Sequence, residues 1–249
     1  MEKIKRELGY FIVAIQFLTT IPLPVRVNLD KDEFYRISSY FPLVGLILGV
    51  LSYFTYTIMD KFTGNREIVA IVTTIVYFLL TGALHLDGLS DTVDAIFSHK
   101  DRERILSIMK DPHIGTFGVM AIVFDIAIRI TYLKNPNELT ILIMAPVVSR
   151  LGAVIATYLS KPAKKGEGLG SLFLGKITKR ELMIALATSI LTLCLLTSIL
   201  NLLWLLFLTI IEIFLITAYI GYRVGGMTGD TIGFVVEILE LMVISHGLR

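Results

Sequence analysis

From Leu182 to Ile211 the chain runs for thirty residues without a charged side chain, and past Glu212 it stays apolar to Tyr222. About 20 such residues already cross a bilayer, so this stretch is too long for one span. It reads as two helices, roughly 181–200 and 202–222, turning at Asn201. The rest of the chain suits the same solvent. Ile37–Met59 is free of charge between Arg36 and Asp60, and Ile68–Leu84 is apolar and continues to His85. Two weaker spans, roughly 114–133 with Asp125 and Arg129 and 138–160 with Arg150, flank Lys134-Asn135-Pro136-Asn137, a turn signal. Ile232–Ser245 is apolar except for Glu237 and Glu240.

At the N-terminus, Lys3, Lys5 and Arg6 precede the apolar run Tyr10–Ile21, the pattern of a signal peptide. Pro22-Leu23-Pro24 stands where a small-x-small cleavage site would be, so we expect a retained helix that is shallow, re-entrant or tilted. The expected fold class is all-α: a polytopic transmembrane helix bundle of about seven spans plus an N-terminal membrane-associated helix, forming one integral membrane catalytic domain over residues 1–249. Composition agrees. Apolar residues make up 55% and charged ones 18%, against about 25% charged in soluble domains, and mean hydropathy is +0.76. A net charge of +2 creates no global field for nucleic acid, and the single Cys194 supports neither an internal disulfide nor a Cys-rich zinc site.

Basic residues in short loops set orientation. If residues 87–112 face the cytoplasm, so do 1–36, 161–181 and 223–231. Seventeen Lys and Arg then lie on that side, and only Lys61, Arg66 and Lys134 on the other. The polar segments 86–113, 161–180 and 223–231 thus open to one side.

One of them holds Asp87, Asp91 and Asp94, spaced i, i+4 and i+7. On a helix these fall within an arc of about 60°. Three carboxylates at a membrane edge repel one another, and no Lys or Arg lies within the motif. A hard divalent cation would neutralise them. Oxygen ligands suit Mg²⁺, Mn²⁺ or Ca²⁺, and Mg²⁺ habitually joins one or two carboxylates to a substrate phosphate. The plainer reading is a solvated first helical turn whose acids complement the helix dipole. Asp230, Glu237 and Glu240 form a second acidic set, which either faces a polar cavity or pairs with Arg129, Arg150 or Arg223. Whether the two sets meet is left to the structure.

Lys110 leads into Asp111-Pro112-His113-Ile114-Gly115-Thr116-Phe117-Gly118, where small residues would let backbone amides approach an anion at a helix start. The loop 161–180 carries six basic residues, Lys164 among them, around Gly166-Glu167-Gly168-Leu169-Gly170, and could clamp phosphates. Asp125 and Arg129, four apart, read as a structural helix pair. Arg150, alone in a span, calls for a partner with a functional role. There is no P-loop, dinucleotide fingerprint, zinc-ligand spacing or GxSxG.

The string Gly82-Ala83-Leu84-His85-Leu86-Asp87-Gly88-Leu89-Ser90-Asp91-Thr92-Val93-Asp94 resembles the signature of the cobalamin synthase family (adenosylcobinamide-GDP ribazoletransferases). Phe17–Pro24, Tyr40–Gly45, Met109–Gly118, Glu167–Gly170 and the Gly229-Asp230 and Glu237 blocks agree in order over nearly the whole chain. Ala95 departs from the family's usual Gly after the third Asp. The resemblance implies a multi-pass enzyme of the cell membrane, its active site facing the cytoplasm. It would join adenosylcobinamide-GDP to α-ribazole or its 5′-phosphate with release of GMP, using Mg²⁺. It assigns Asp87, Asp91, Asp94, Asp230 and Glu237 to the metal, and Asp91 and Asp94 to catalysis, with Asp94 taking the hydroxyl proton. Lys110, Lys164 and Arg150 become phosphate contacts, and His85, His113, Glu167 and Glu240 further substrate contacts. The implied partners are corrinoid and nucleoside substrates and the bilayer. Other cobalamin-pathway enzymes and a second copy of the chain stay open. Two alternatives also stand: a CDP-alcohol-type phosphotransferase of phospholipid synthesis, and an ion-coupled transporter using its intramembrane acids.

Overall fold

A computed structural model describes residues 2–136, 139–164 and 168–246. Ten α-helices carry the fold: α1 (Glu2–Leu18), α2 (Phe41–Thr63), α3 (Arg66–Thr81), α4 (Leu84–Phe97), α5 (Arg102–Ile108), α6 (Thr116–Leu133), α7 (Ile141–Leu159), α8 (Lys179–Cys194), α9 (Ile199–Val224) and α10 (Gly229–His246). Two short 3-10 helices, Phe34–Tyr40 and Leu169–Leu172, complete the described secondary structure apart from one isolated bridge between Pro162 and Met227.

Helix ends follow local chemistry. Asn65 caps α3 by accepting from the amides of Glu67 and Ile68, and Gly64 ends α2 in the left-handed region. Thr178 and Glu181 form a reciprocal capping box at α8. The long apolar run breaks at residues 195–198 and not at Asn201. Ser198 caps α9 by accepting from the amide of Asn201, which becomes a first-turn residue. The N-terminal helix starts before the apolar run and stops at Leu18. It buries Tyr10, Ala14, Ile15 and Leu18 and leaves Ile4 and Leu8 exposed.

Among the described residues, four helical stretches are long and apolar enough to cross a membrane: Phe34–Thr63, Thr116–Leu133, Ile141–Leu159 and Ile199–Val224. The pair α3–α4, bent by 91°, makes a fifth if taken as one broken span. The expected count of about seven is not confirmed by length and composition. With sixteen residues, α8 is short for a crossing, and α10 carries Asp230, Glu237 and Glu240. The break between α3 and α4 falls at Gly82 and Ala83, both with positive φ (61° and 54°).

At the centre stands α7, buried along almost its whole length, whereas α6 and α9 expose most of theirs. Its closest neighbour is α2. A Cβ on Gly45 would lie 2.3 Å from the Pro146 carbonyl oxygen, and one on Gly49 would lie 2.5 Å from the Ile143 Cα. Gly45 and Gly49 are four apart, the small-xxx-small pattern by which membrane helices bring backbones together. Gly45→Ala should therefore lower stability by about 1–3 kcal/mol. Gly221→Ala in α9, where nothing lies within 4 Å, should be neutral or slightly stabilising. Thermal midpoints of both variants in one detergent would check the contrast; equal midpoints would contradict it.

Candidate active site

A cavity of about 730 Å³ opens among the segments that the charge pattern places on one side. It takes Asp87, Glu103 and Lys110 from the first, Lys164 and Phe173 from the second, and Thr228 and Asp230 from the third. Backbone contacts hold the last two segments together. The Met227 amide donates to the Lys161 carbonyl (2.9 Å), and the Ala163 amide donates to the Met227 carbonyl (2.8 Å). A Cβ on Gly170 would come within 2.6 Å of the Gly229 nitrogen, so only glycine lets this loop sit on the start of α10.

The same close approach brings the acids together. A Cβ on Gly88 would lie 2.6 Å from the Asp230 carbonyl oxygen, and Gly233 sits against the backbones of His85 and Gly88. Thus α4 and α10 touch backbone to backbone. Asp91 feels the like charges of Asp87, Asp230 and Asp94, and Asp230 feels that of Asp87. Among the described residues, none of these four pairs with Lys or Arg.

They are not equivalent. Asp94 accepts from the Gly115 amide (2.7 Å), at the start of α6. A Cβ on Gly115 or Gly118 would fall 2.4 or 2.3 Å from its carboxylate oxygens. The anion seated by the small residues of Gly115–Gly118 is thus Asp94 itself. Asp87 and Asp230 line the cavity. Asp91 and Asp94 do not line it; Asp91 is within electrostatic reach of the other three and makes no hydrogen bond or ion pair among the described residues.

The second acidic set divides. Asp230 joins the aspartates, whereas Glu237 and Glu240 turn into the bundle. Arg129 on α6 spans three carboxylates: Nε donates to Asp125 (2.7 Å), Nη1 to Glu240 (2.9 Å) and Nη2 to Glu237. Arg150 on α7 pairs with Glu240 and donates from Nη1 to the Tyr77 hydroxyl (2.8 Å) and to Ser149 Oγ (3.0 Å). Ser149 and Tyr77 in turn donate to Glu240. All of these side chains are buried. Glu237, expected among the metal ligands, is paired here with a buried guanidinium on α6 and lies apart from the aspartates. Glu240 holds Arg150 and does not line the cavity, which Arg150 does.

The model of the family described as cobalamin-5-phosphate synthase matches residues 10–247. The chain belongs to the cobalamin-5-phosphate synthase family. It is 42% identical to a protein of Thermoanaerobacter sp. (strain X514) over 97% of this chain and 96% of that one. It is 40% identical to one of Caldanaerobacter subterraneus subsp. tengcongensis, over 95% and 96%. With one of Clostridioides difficile (strain 630) the identity is 35%, over 95% of each. All three are named adenosylcobinamide-GDP ribazoletransferase. No solved structure matches.

The remaining expected contacts of this cobalamin-5-phosphate synthase family member fall in three places. Exposed Lys110 and Lys164 line the cavity. So does His85, whose enclosed Nε2 has no hydrogen-bond partner. His113 is exposed and turned onto Asp111, its Nδ1 2.6 Å from Oδ1, and it does not line the cavity. Glu167 lies outside the described residues. Ala95 is fully buried and helical, so the departure from Gly leaves α4 regular. Tyr77, Ser149 and Phe173 were not singled out from the sequence. A signal for Tyr77 exists: Thr73, Tyr77 and Thr81 recur every fourth residue as a buried polar stripe on an apolar helix.

The aspartates suit a hard cation in their donor set, all oxygen and without ion-pair partners. Among the described residues no three His, Cys, Asp or Glu side chains converge as a ready metal cluster.

Proposed function

We propose that the protein joins adenosylcobinamide-GDP to α-ribazole, or its 5′-phosphate, and releases GMP at this cavity, with Mg²⁺ as cofactor. The observation that carries the reading is the placing of Asp87, Asp91, Asp94 and Asp230 on two glycine-apposed helices, with Asp87 and Asp230 lining the cavity. Family membership supplies the substrates. The excess of basic residues on the cavity's side supports a cytoplasm-facing site in the cell membrane. No observation favours a phospholipid product or ion-coupled transport.

The acceptor hydroxyl oxygen forms a bond to the phosphorus carried by cobinamide, and the bond from that phosphorus to GMP breaks. Asp91, which like Asp87 makes no side-chain hydrogen bond among the described residues, takes the hydroxyl proton in place of Asp94, whose carboxylate is held on the Gly115 amide. Asp94, fixed on the Gly115 amide, holds this face of α4 against α6. Asp87 and Asp230 would hold Mg²⁺, which when bound neutralises charge building on the pyrophosphate. Lys110 and Lys164 meet the outer phosphate oxygens, and Arg150, oriented by Glu240 and Tyr77, meets an anion deeper in the cavity.

Purified protein in lipid, given both substrates, should release GMP with a cobalamin product in step, and chelation should cut the rate by about 100-fold or more until Mg²⁺ is restored. Turnover undiminished by chelation would sink the metal. No GMP from folded protein would sink the reaction.

A further inference from the structure

The cavity has two chemically different ends. One carries Asp87, Asp230, Lys110 and Lys164. The other is walled by Phe17, Phe41 and Phe173, with Leu18, Val154 and Ile177. Phe173 is the hub of the aromatic wall: its ring centroid lies 5.4 Å from that of Phe17 and 5.6 Å from those of Phe34 and Phe41. These rings come from α1, the 3-10 helix Phe34–Tyr40, α2 and the 169–177 loop, so four separate elements converge to build a packed apolar wall. Phe41 and Phe173 are buried, at 8% and 5% exposure. The loop that brings Phe173 also seats Gly170 on Gly229, next to Asp230. One short segment therefore ties the aromatic wall to the acidic end.

We infer that the aromatic end seats the benzimidazole base of the acceptor and sets which nucleoside the enzyme accepts. This rests on the function proposed above and deepens it. The donor's guanine and the amide arms of its corrin ring are edged with hydrogen-bonding groups, and burying such groups among Phe, Leu and Val without partners is unfavourable. The benzimidazole of α-ribazole is flat, bicyclic and methylated, with one free ring nitrogen. Size agrees. A cavity of about 730 Å³ is on the scale that encloses a drug-sized ligand, so the nucleoside enters and the corrin stays at the mouth. With the base laid against the cavity side of the Phe173 and Phe41 rings, which pack edge to face on each other, the ribose extends towards the aspartates, where its hydroxyl must react.

Steady-state kinetics of Phe173→Ala with each substrate varied in turn tests this. Stacking of a base on an aromatic ring is worth about tenfold to hundredfold in affinity. The KM for α-ribazole should rise by that factor, the KM for adenosylcobinamide-GDP should stay within about twofold, and Phe173→Tyr should restore most of the loss. Free 5,6-dimethylbenzimidazole with the wild-type enzyme gives a readout that needs no variant to fold. It should compete with α-ribazole and not with adenosylcobinamide-GDP. A rise in the donor's KM, or competition against the donor, would place the donor at the aromatic end and overturn the inference. Unchanged KM values together with no inhibition would overturn it too, leaving lipid or side chains to fill that end. Wild-type protein that makes no GMP would instead defeat the function itself, a result that these comparisons between substrates cannot imitate.

Discussion

Asp91→Asn lowers kcat by about 10²–10⁴-fold, the usual contribution of a positioned proton acceptor, and leaves the thermal midpoint unchanged or slightly raised. The reason lies in its surroundings. Asp91 makes no hydrogen bond or ion pair among the described residues, and its electrostatic neighbours Asp87, Asp230 and Asp94 are all of like charge. The amide keeps the shape and removes one negative charge from a repulsive group. Asp94→Asn behaves differently. It weakens a charge-assisted bond to the Gly115 amide, and hydrogen bonds to charged groups contribute about 1.5–3 kcal/mol. It should therefore lose stability as well as activity. Single-turnover GMP release and thermal scans on the two variants side by side would check both statements. An Asp91→Asn enzyme with wild-type kcat would remove the proton acceptor from the proposed reaction.

Arg129→Met is the most damaging change for the fold, at about 3–5 kcal/mol, because it strips the guanidinium from three buried carboxylates. Total stabilities of about 5–15 kcal/mol make that a large fraction. Arg129→Lys should not rescue it. The guanidinium reaches Asp125, Glu240 and Glu237 from three different nitrogens in a planar fork, and one ammonium cannot span them. Adding Glu237→Gln to Arg129→Met should recover part of the loss, since one orphaned charge disappears. The measurement is the thermal midpoint and the monodisperse fraction after extraction. A single Arg129→Met variant with a wild-type midpoint would show that the network contributes nothing to stability.

What the sequence made legible followed from spacing within one element. Asp87, Asp91 and Asp94 lie on one helix because their offsets fit a helical turn, and Asp125 and Arg129 pair because four residues separate them. What it hid depended on contacts between elements. Glu237 and Glu240 follow Asp230 on one helix, yet Asp230 faces α4 and the glutamates face α6 and α7. That division is set by how α10 rolls on glycine contacts, information that no single segment carries. The turn in the long apolar run went to Ser198 over Asn201 because serine's hydroxyl caps the amide three residues on. Both residue types suit such a position. Phe173 lay in a loop remote in sequence from Phe17 and Phe41, and only the folded chain shows the slot they share.

The sharp bend between α3 and α4 makes the aim of the acidic helix depend on a distant part of the chain. A helix that stops leaves carbonyls without partners, and at membrane depth each exposed one costs several kcal/mol. Gly82 and Ala83 donate their amides to Leu79 and Phe78. The rest of the cap comes from Thr20: its amide donates to the Leu80 carbonyl (2.8 Å) and its hydroxyl to that of Leu79 (2.7 Å). Pro22 and Pro24, just beyond, keep that strand extended. Thr20 stands sixty residues before Leu80 in the chain, so the cap is a long-range contact and not a local one. The bend that aims the acidic helix thus depends on a contact with the start of the chain, so that a change at Thr20 reaches the aspartates through the α3–α4 junction.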